Sequence, residues 1–136
     1  MDYKYILSKY GINKTKFRVD LLKIFSLSKK SFSVDDILNI FNNKINKVTI
    51  YRALDNFEKK GLIHQVPHKF TYKKYALCNH NECNENNHNH NHGHFVCFSC
   101  NQTFCLDMKL PEITILKDFN VTGLSLTAEG YCNNCY

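Results

Sequence analysis

The first half of the chain repeats its apolar residues at helical spacing. Residues 3–10 form a first, short candidate helix. Over 14–27, Phe17, Leu21, Leu22 and Phe25 recur on one face, with Lys14, Lys16, Arg18 and Lys23 among them. Ser33 has the chemistry of an N-cap, Asp35 and Asp36 follow in the positive first turn, and Val34, Ile37, Leu38 and Phe41 supply a buried stripe. A fourth helix is predicted from about Lys47 to Lys60, ending at Gly61, which tolerates the left-handed backbone that closes helices. Its apolar face is Ile50, Ala53, Leu54 and Phe57; Thr49, Arg52 and Asn56 project from another face, with Tyr51 on its edge. Two strand-like pieces, 62–66 and 70–77, are joined across Pro67-His68-Lys69. Helices followed by a small hairpin make the order of a winged helix, a variant of the helix-turn-helix.

From Cys78 to Gly93 the pattern stops, and Asn, His, Glu and Cys take over. A stretch with so little to bury is expected to be a hinge or exposed loop. Beyond it, 94–98, 103–106 and 119–130 read as strands around a segment containing Pro111, and no internal repeat is present. The expected fold is α+β, with a winged-helix domain over 1–77, a His/Asn-rich hinge over 78–93 and a small α/β domain over 94–136.

Composition adds little until charge and cysteine are placed on this map. Apolar residues make up 43% of the 136, and none of their runs approaches the ~18 residues of a membrane span. The opening Met-Asp-Tyr-Lys-Tyr-Ile-Leu lacks the apolar stretch of a secretory signal, so a cytoplasmic protein is expected. Residues 1–74 carry 16 Lys and Arg against 6 Asp and Glu, a net +10, whereas residues 75–136 carry 2 against 6, a net −4. A basic half joined to a mildly acidic one suggests one module that meets a polyanion and another that does not. All seven cysteines lie from Cys78 to Cys135, in the half that is not basic. In a reducing compartment they are metal ligands or reactive thiols rather than a disulfide framework.

The sharpest signal is Cys97-Phe-Ser-Cys100 with Cys132-Asn-Asn-Cys135. A two-residue spacer lets two thiolates from one turn face one cation, and two such turns complete a tetrahedral zinc site. The 31 residues between the pairs exceed the spacing of a simple zinc ribbon, so an element is inserted there. Four thiolates leave no open position, which makes this a structural site. A looser constellation surrounds it: His88, His90, His92 and His94 alternate before Cys97, with His64, His68, Cys78, Cys83 and Cys105 nearby in sequence. Alternation on an extended segment puts His92 and His94 on one side, able to share an ion. A zinc-buffering protein would use these residues but leave the basic half without a role. An enzyme would need a metal with an open position and a general base, and the pairs lack the His-x-Glu partner of zinc deaminases; no enzyme and no small-molecule substrate are expected.

These motifs together resemble the ferric-uptake-regulator superfamily of metal-dependent repressors, and the resemblance covers nearly the whole chain. It is carried by Thr15-Lys-Phe-Arg18 with Leu21-Leu22, by Thr49-Ile-Tyr-Arg-Ala-Leu54 with Gly61-Leu-Ile63, by His92-Gly-His94-Phe-Val-Cys97-Phe-Ser-Cys100, and by Gly130-Tyr-Cys132-Asn-Asn-Cys135. It implies a homodimer joined through the C-terminal domains, which presents two winged helices to a palindromic operator in double-stranded DNA and controls metal-uptake genes. By position, Tyr51 and Arg52 are the main DNA contacts with Thr49 close by. Lys14, Lys16 and Arg18 add contacts to phosphates.

The resemblance also bears on the regulatory metal. Iron and peroxide sensors of the superfamily place a His where Ser31-Phe32 stand, and carboxylates at the positions of Ala76 and Cys105. Tyr75-Ala-Leu-Cys78 is similar to the zinc-sensing (Zur) branch, and His64 matches a histidine ligand of some zinc sensors. The implied second site is His64, Cys78, His92 and His94, with Cys105 able to replace one of them, His90 able to replace either neighbour and His68 able to replace His64. Mixed nitrogen and sulfur suits tetrahedral Zn2+, whereas ferrous or manganous sensing favours carboxylates and higher coordination. Regulation by iron, manganese or peroxide is the alternative within the same superfamily.

Overall fold

A computed structural model describes the chain apart from residues 29, 67–70, 79–91, 110 and 122–123, and describes the backbone alone of residues 92, 107–109 and 115. The chain forms two compact units, the described residues up to Cys78 and those from His92 onward. Among the described residues no helix is long and apolar enough to cross a membrane.

The first unit holds four helices, α1 (Tyr3–Lys9), α2 (Lys16–Ser28), α3 (Val34–Ile40) and α4 (Lys47–Lys59), followed by strands β1 (Ile63–Val66) and β2 (Lys74–Leu77). Their boundaries follow from capping chemistry. The Ser33 hydroxyl accepts from the Asp36 N–H at 3.1 Å while the Asp36 carboxylate accepts from the Ser33 N–H at 2.8 Å, a complete capping box. Asn46 opens α4, its Oδ1 accepting from the Val48 N–H at 2.8 Å. The helix closes through Gly61, whose φ of 81° lets Leu62 donate to the Phe57 carbonyl at 2.9 Å and Gly61 to that of Glu58 at 3.0 Å. The apolar stripes meet in one core: Leu7, Leu21, Leu22, Phe25, Ile37, Ile50, Leu54, Phe57 and Ile63 are all buried. Ring edges lock it, with Phe25 against Phe32 at 5.3 Å and Phe17 against Phe41 at 5.2 Å between centroids.

Strands β1 and β2 are antiparallel, pairing Ile63 with Leu77, His64 with Ala76, Gln65 with Tyr75 and Val66 with Lys74. Phe32, ahead of α3, exchanges both backbone hydrogen bonds with Tyr75 (2.8 and 2.9 Å) and so adds a bridge beside β2. Of the second expected strand, 70–77, Lys74–Leu77 is strand, and Phe70 lies outside the described residues.

The second unit is a three-stranded sheet in the order β4-β3-β5, made of β3 (His92–Cys97), β4 (Thr103–Lys109) and β5 (Thr127–Gly130), with a 3-10 turn at Thr114–Leu116. Strand β3 is central, antiparallel to β4 and parallel to β5. Of the strand expected over 119–130, the described residues form strand at Thr127–Gly130, where the chain pairs with β3, and residues 122–123 lie outside the described residues. The four helices and the small sheets make the α+β fold expected from the apolar pattern.

Candidate metal centre

Cys97 closes β3, and the chain turns at once: the Asn101 N–H returns to the Cys97 carbonyl at 3.0 Å, and the Cys97 N–H donates to the Gln102 carbonyl at 3.0 Å. Asn101 takes the left-handed φ of 59°, which asparagine accepts more readily than most residues. A second turn follows β5, where the Cys135 N–H donates to the Cys132 carbonyl at 2.9 Å. Parallel pairing of β5 with β3 sets Gly130 beside Cys97, and so brings the two turns together. Gly130 sits under the Phe95 ring, 3.6 Å from where a Cβ would stand.

The four sulfurs of Cys97, Cys100, Cys132 and Cys135 lie within 4.8 Å of one another, and Cys100 Sγ is 3.9 Å from Cys132 Sγ. Four ligands at about 2.3 Å around a tetrahedral zinc stand about 3.8 Å apart, so the cage fits that ion. Acid–base character agrees. Burial works against the Cys97 thiolate, but backbone N–H groups of Cys100, Cys132 and Ser99 outweigh it and bring the thiol down to about 6. The Cys132 N–H reaches Cys97 Sγ at 3.4 Å. Burial raises Cys100, and the bond to the Cys132 thiol holds Cys135 up at about 11. Cys97 is thus a thiolate beside protonated Cys100 and Cys135, and the charge of a bound cation would deprotonate these two.

The other expected ligands fall into pairs, one in each unit. In the first, His64 is buried on β1, and its Nδ1 lies 3.6 Å from Cys78 Sγ just beyond β2. The register explains the contact: His64 faces Ala76, and Cys78 follows two residues later on the same side. In the second unit His94 is buried on β3 directly opposite half-buried Cys105 on β4. Burial pushes the Cys105 thiol up to about 11. The ladder shifts register between His92 and His94, so simple alternation does not carry through this stretch. Only the backbone of His92 is described, and His68, Cys83, His88 and His90 lie outside the described residues.

Helix α4 presents the expected DNA contacts to solvent. Thr49 and Arg52 are exposed, and Tyr51 at 55% exposure is no part of the core. Asn56 differs from the expectation: it is half-buried, and its Oδ1 has no hydrogen-bond partner among the described residues. Opposite the buried Ile50, Ala53, Leu54 and Phe57, the outward stripe is instead Val48, Arg52, Asp55 and Lys59, the last two paired at 3.0 Å. Lys14 and Lys16 are exposed, Lys16 resting on Asp20 at 3.3 Å, and Arg18 is half-buried. The sequence pattern had not singled out Val48, since one apolar residue outside a helical stripe carries no period.

The model of the ferric uptake regulator family matches residues 9–126. The ferric uptake regulation protein of Synechococcus elongatus is 27% identical over 139 aligned residues, covering 95% of this chain and 89% of that one. Among solved structures, the ferric uptake regulator of Francisella tularensis with iron is 26% identical, with a TM-score of 0.60 over 92% of this chain and 95% of that chain. A zinc uptake regulator complexed with zinc and DNA, at 22% identity, shares the fold with a TM-score of 0.65 over 96% of this chain and 88% of its own.

Proposed function

Because the chain belongs to the ferric uptake regulator family of metal-responsive transcription regulators, we propose that it is a zinc-responsive repressor that binds palindromic operators as a homodimer and controls metal-uptake genes. The observation that carries the choice of metal is the donor chemistry: His64 with Cys78, and His94 with Cys105, pair one nitrogen with one sulfur and include no carboxylate. Each pair is two ligands short of a closed tetrahedral site. One zinc ion taking His64 and Cys78 from the first unit and His94 and Cys105 from the second has a complete mixed shell, with His92 and His90 the remaining candidates from the same stretch. Iron keeps a second reading alive through the iron-bound Francisella tularensis relative.

In this reading Cys97, Cys100, Cys132 and Cys135 hold a structural zinc at all times, while the second ion regulates. The regulatory ion ligates residues of both units and so favours one arrangement of the DNA-reading helix. It strengthens DNA binding only by its preference for that arrangement; a hundred-fold gain corresponds to about 2.7 kcal/mol of coupling. Tyr51, Arg52 and Thr49 meet base edges, with Lys14, Lys16 and Arg18 on phosphates. The dimer is supported by an exposed β5 and by exposed Ile113, Phe119, Val121, Leu124 and Leu126 in the stretch of chain that leads to it.

The test is DNA-binding anisotropy on the gene's own upstream region, titrated with buffered free zinc and, anaerobically, with ferrous iron and manganese. Binding that rises with zinc alone, and is lost in Cys78→Ala without loss of fold, is the expected result. Binding driven by iron or manganese would overturn the choice of zinc, and DNA affinity indifferent to every metal would point to a zinc buffer.

A further inference from the structure

The outward stripe of α4 carries one residue that neither folding nor solvation explains. Val48 is 52% exposed in the first turn, at the centre of the face opposite the core and one turn before Arg52. A β-branched apolar side chain there gains nothing from burial in this chain, and it forms helix less readily than alanine or lysine would. It is also held firmly. Asn46 Oδ1 accepts the Val48 N–H at 2.8 Å, and the preceding Lys47 reaches Asp35 on α3 at 3.4 Å. A β-branched residue in a helix keeps essentially one rotamer, so its two methyl groups project in a fixed direction.

Resting on the DNA-binding reading above, we propose that Val48 determines sequence specificity by packing against the C5-methyl group of a thymine in each half-site. The recognition helix of a helix-turn-helix offers its N-terminal residues to base edges in the major groove. There the apolar group available to a valine is the thymine methyl; every other edge presents hydrogen-bonding atoms that valine cannot satisfy. Arg52, one turn further along, meets a different base. A turn rises about 5.4 Å and base pairs about 3.4 Å, so the thymine lies one or two base pairs from the position read by Arg52. Tyr51, on the flank of the stripe at 55% exposure, reaches a separate site.

The experiment uses the full-length, zinc-loaded protein. Duplexes are selected from a random pool by the parent protein, and each thymine of the selected site is then replaced in turn by deoxyuridine, which removes only the methyl group. At one thymine per half-site the parent should lose about four-fold in affinity, the value of one buried methyl-sized group. Val48→Ala should bind the thymine duplex about four-fold more weakly per half-site and no longer distinguish thymine from deoxyuridine there. It should respond like the parent at every other thymine. Alanine preserves the helix, and Val48→Thr, which keeps the shape and one methyl, should retain part of the discrimination. Additive effects of Val48→Ala and deoxyuridine at every position would overturn the proposal while leaving the DNA-binding reading intact. Failure of the parent to select any duplex in zinc would overturn both.

Discussion

Cys97 and Cys135 share one cage yet differ widely in acidity, the first brought down to about 6 and the second held up at about 11. At pH 7 Cys97 is a thiolate while Cys100 and Cys135 carry protons, so uptake of one zinc must release at least two protons. Apparent affinity for zinc should therefore rise by at least about a hundred-fold per pH unit near neutrality, and steepen below about 6 as Cys97 also protonates. Calorimetric titration of zinc in two buffers of different ionisation enthalpy measures the count; a release below two protons contradicts the cage chemistry. The basic residues separate in the same way. Arg52→Ala should cost about 1–3 kcal/mol of DNA binding and relax discrimination at one base position, whereas Lys14→Ala should weaken all duplexes alike and lower the salt slope by about 1. Fluorescence titrations over a range of salt, on the selected duplex and a scrambled one, tell the two patterns apart. The spacing of the two cysteine pairs marked all four sulfurs that the fold gathers within 4.8 Å, since a two-residue spacer has few other uses. The contact of His64 with Cys78 had no local signal: 13 residues intervene, and the strand register brings the two together.

Helix ends and helix faces differ in what they contribute. The Ser33 capping box satisfies two backbone N–H groups at the start of α3, and Ser33→Ala should lower stability by about 1 kcal/mol. Phe57, fully buried on α4, should cost about 3–5 kcal/mol on truncation to alanine, because cavity and transfer terms add. Urea unfolding followed by circular dichroism orders the two; a Ser33→Ala loss as large as that of Phe57→Ala would mean the cap has been misjudged. The periodic stripes located all four helices to within a few residues. The faces were harder to read, because Asn56 is polar yet half-buried and Val48 is apolar yet exposed. Strand extent was less legible still. Residues 119–130 carry a strand-like composition, but among those described the strand paired with β3 is Thr127–Gly130.

The two units rest on different sources of stability. The first has a continuous apolar core with no metal ligand at its centre. In the second, the buried apolar side chains among the described residues are Val96, Cys97 and Cys132, two of them members of the four-sulfur cluster. A unit this small rarely folds on apolar burial alone. Strong chelation at neutral pH should therefore unfold the sheet of the second unit while α1 to α4 persist. Far-ultraviolet circular dichroism with proteolysis would show a resistant fragment ending before residue 92; simultaneous loss of the helices would refute the separation. Cys97→Ala should give the same partly folded chain even with zinc present.

Local physics settled much of this protein in advance: helical periods, caps, the glycine that closes α4, the division of charge, and a four-cysteine cage written into two short spacers. These features depend on neighbours within a turn or on side-chain chemistry that admits few uses. Folding alone decided the rest. Strand register put His64 beside Cys78 and His94 opposite Cys105, and parallel pairing of β5 on β3 closed the cage. The packing of α4 on its core turned Val48 outward with Arg52 and drew Asn56 partly inward. Contacts of this kind join residues far apart in the chain, and their geometry is set by the backbones that pair and the cores that fill, which no local pattern encodes.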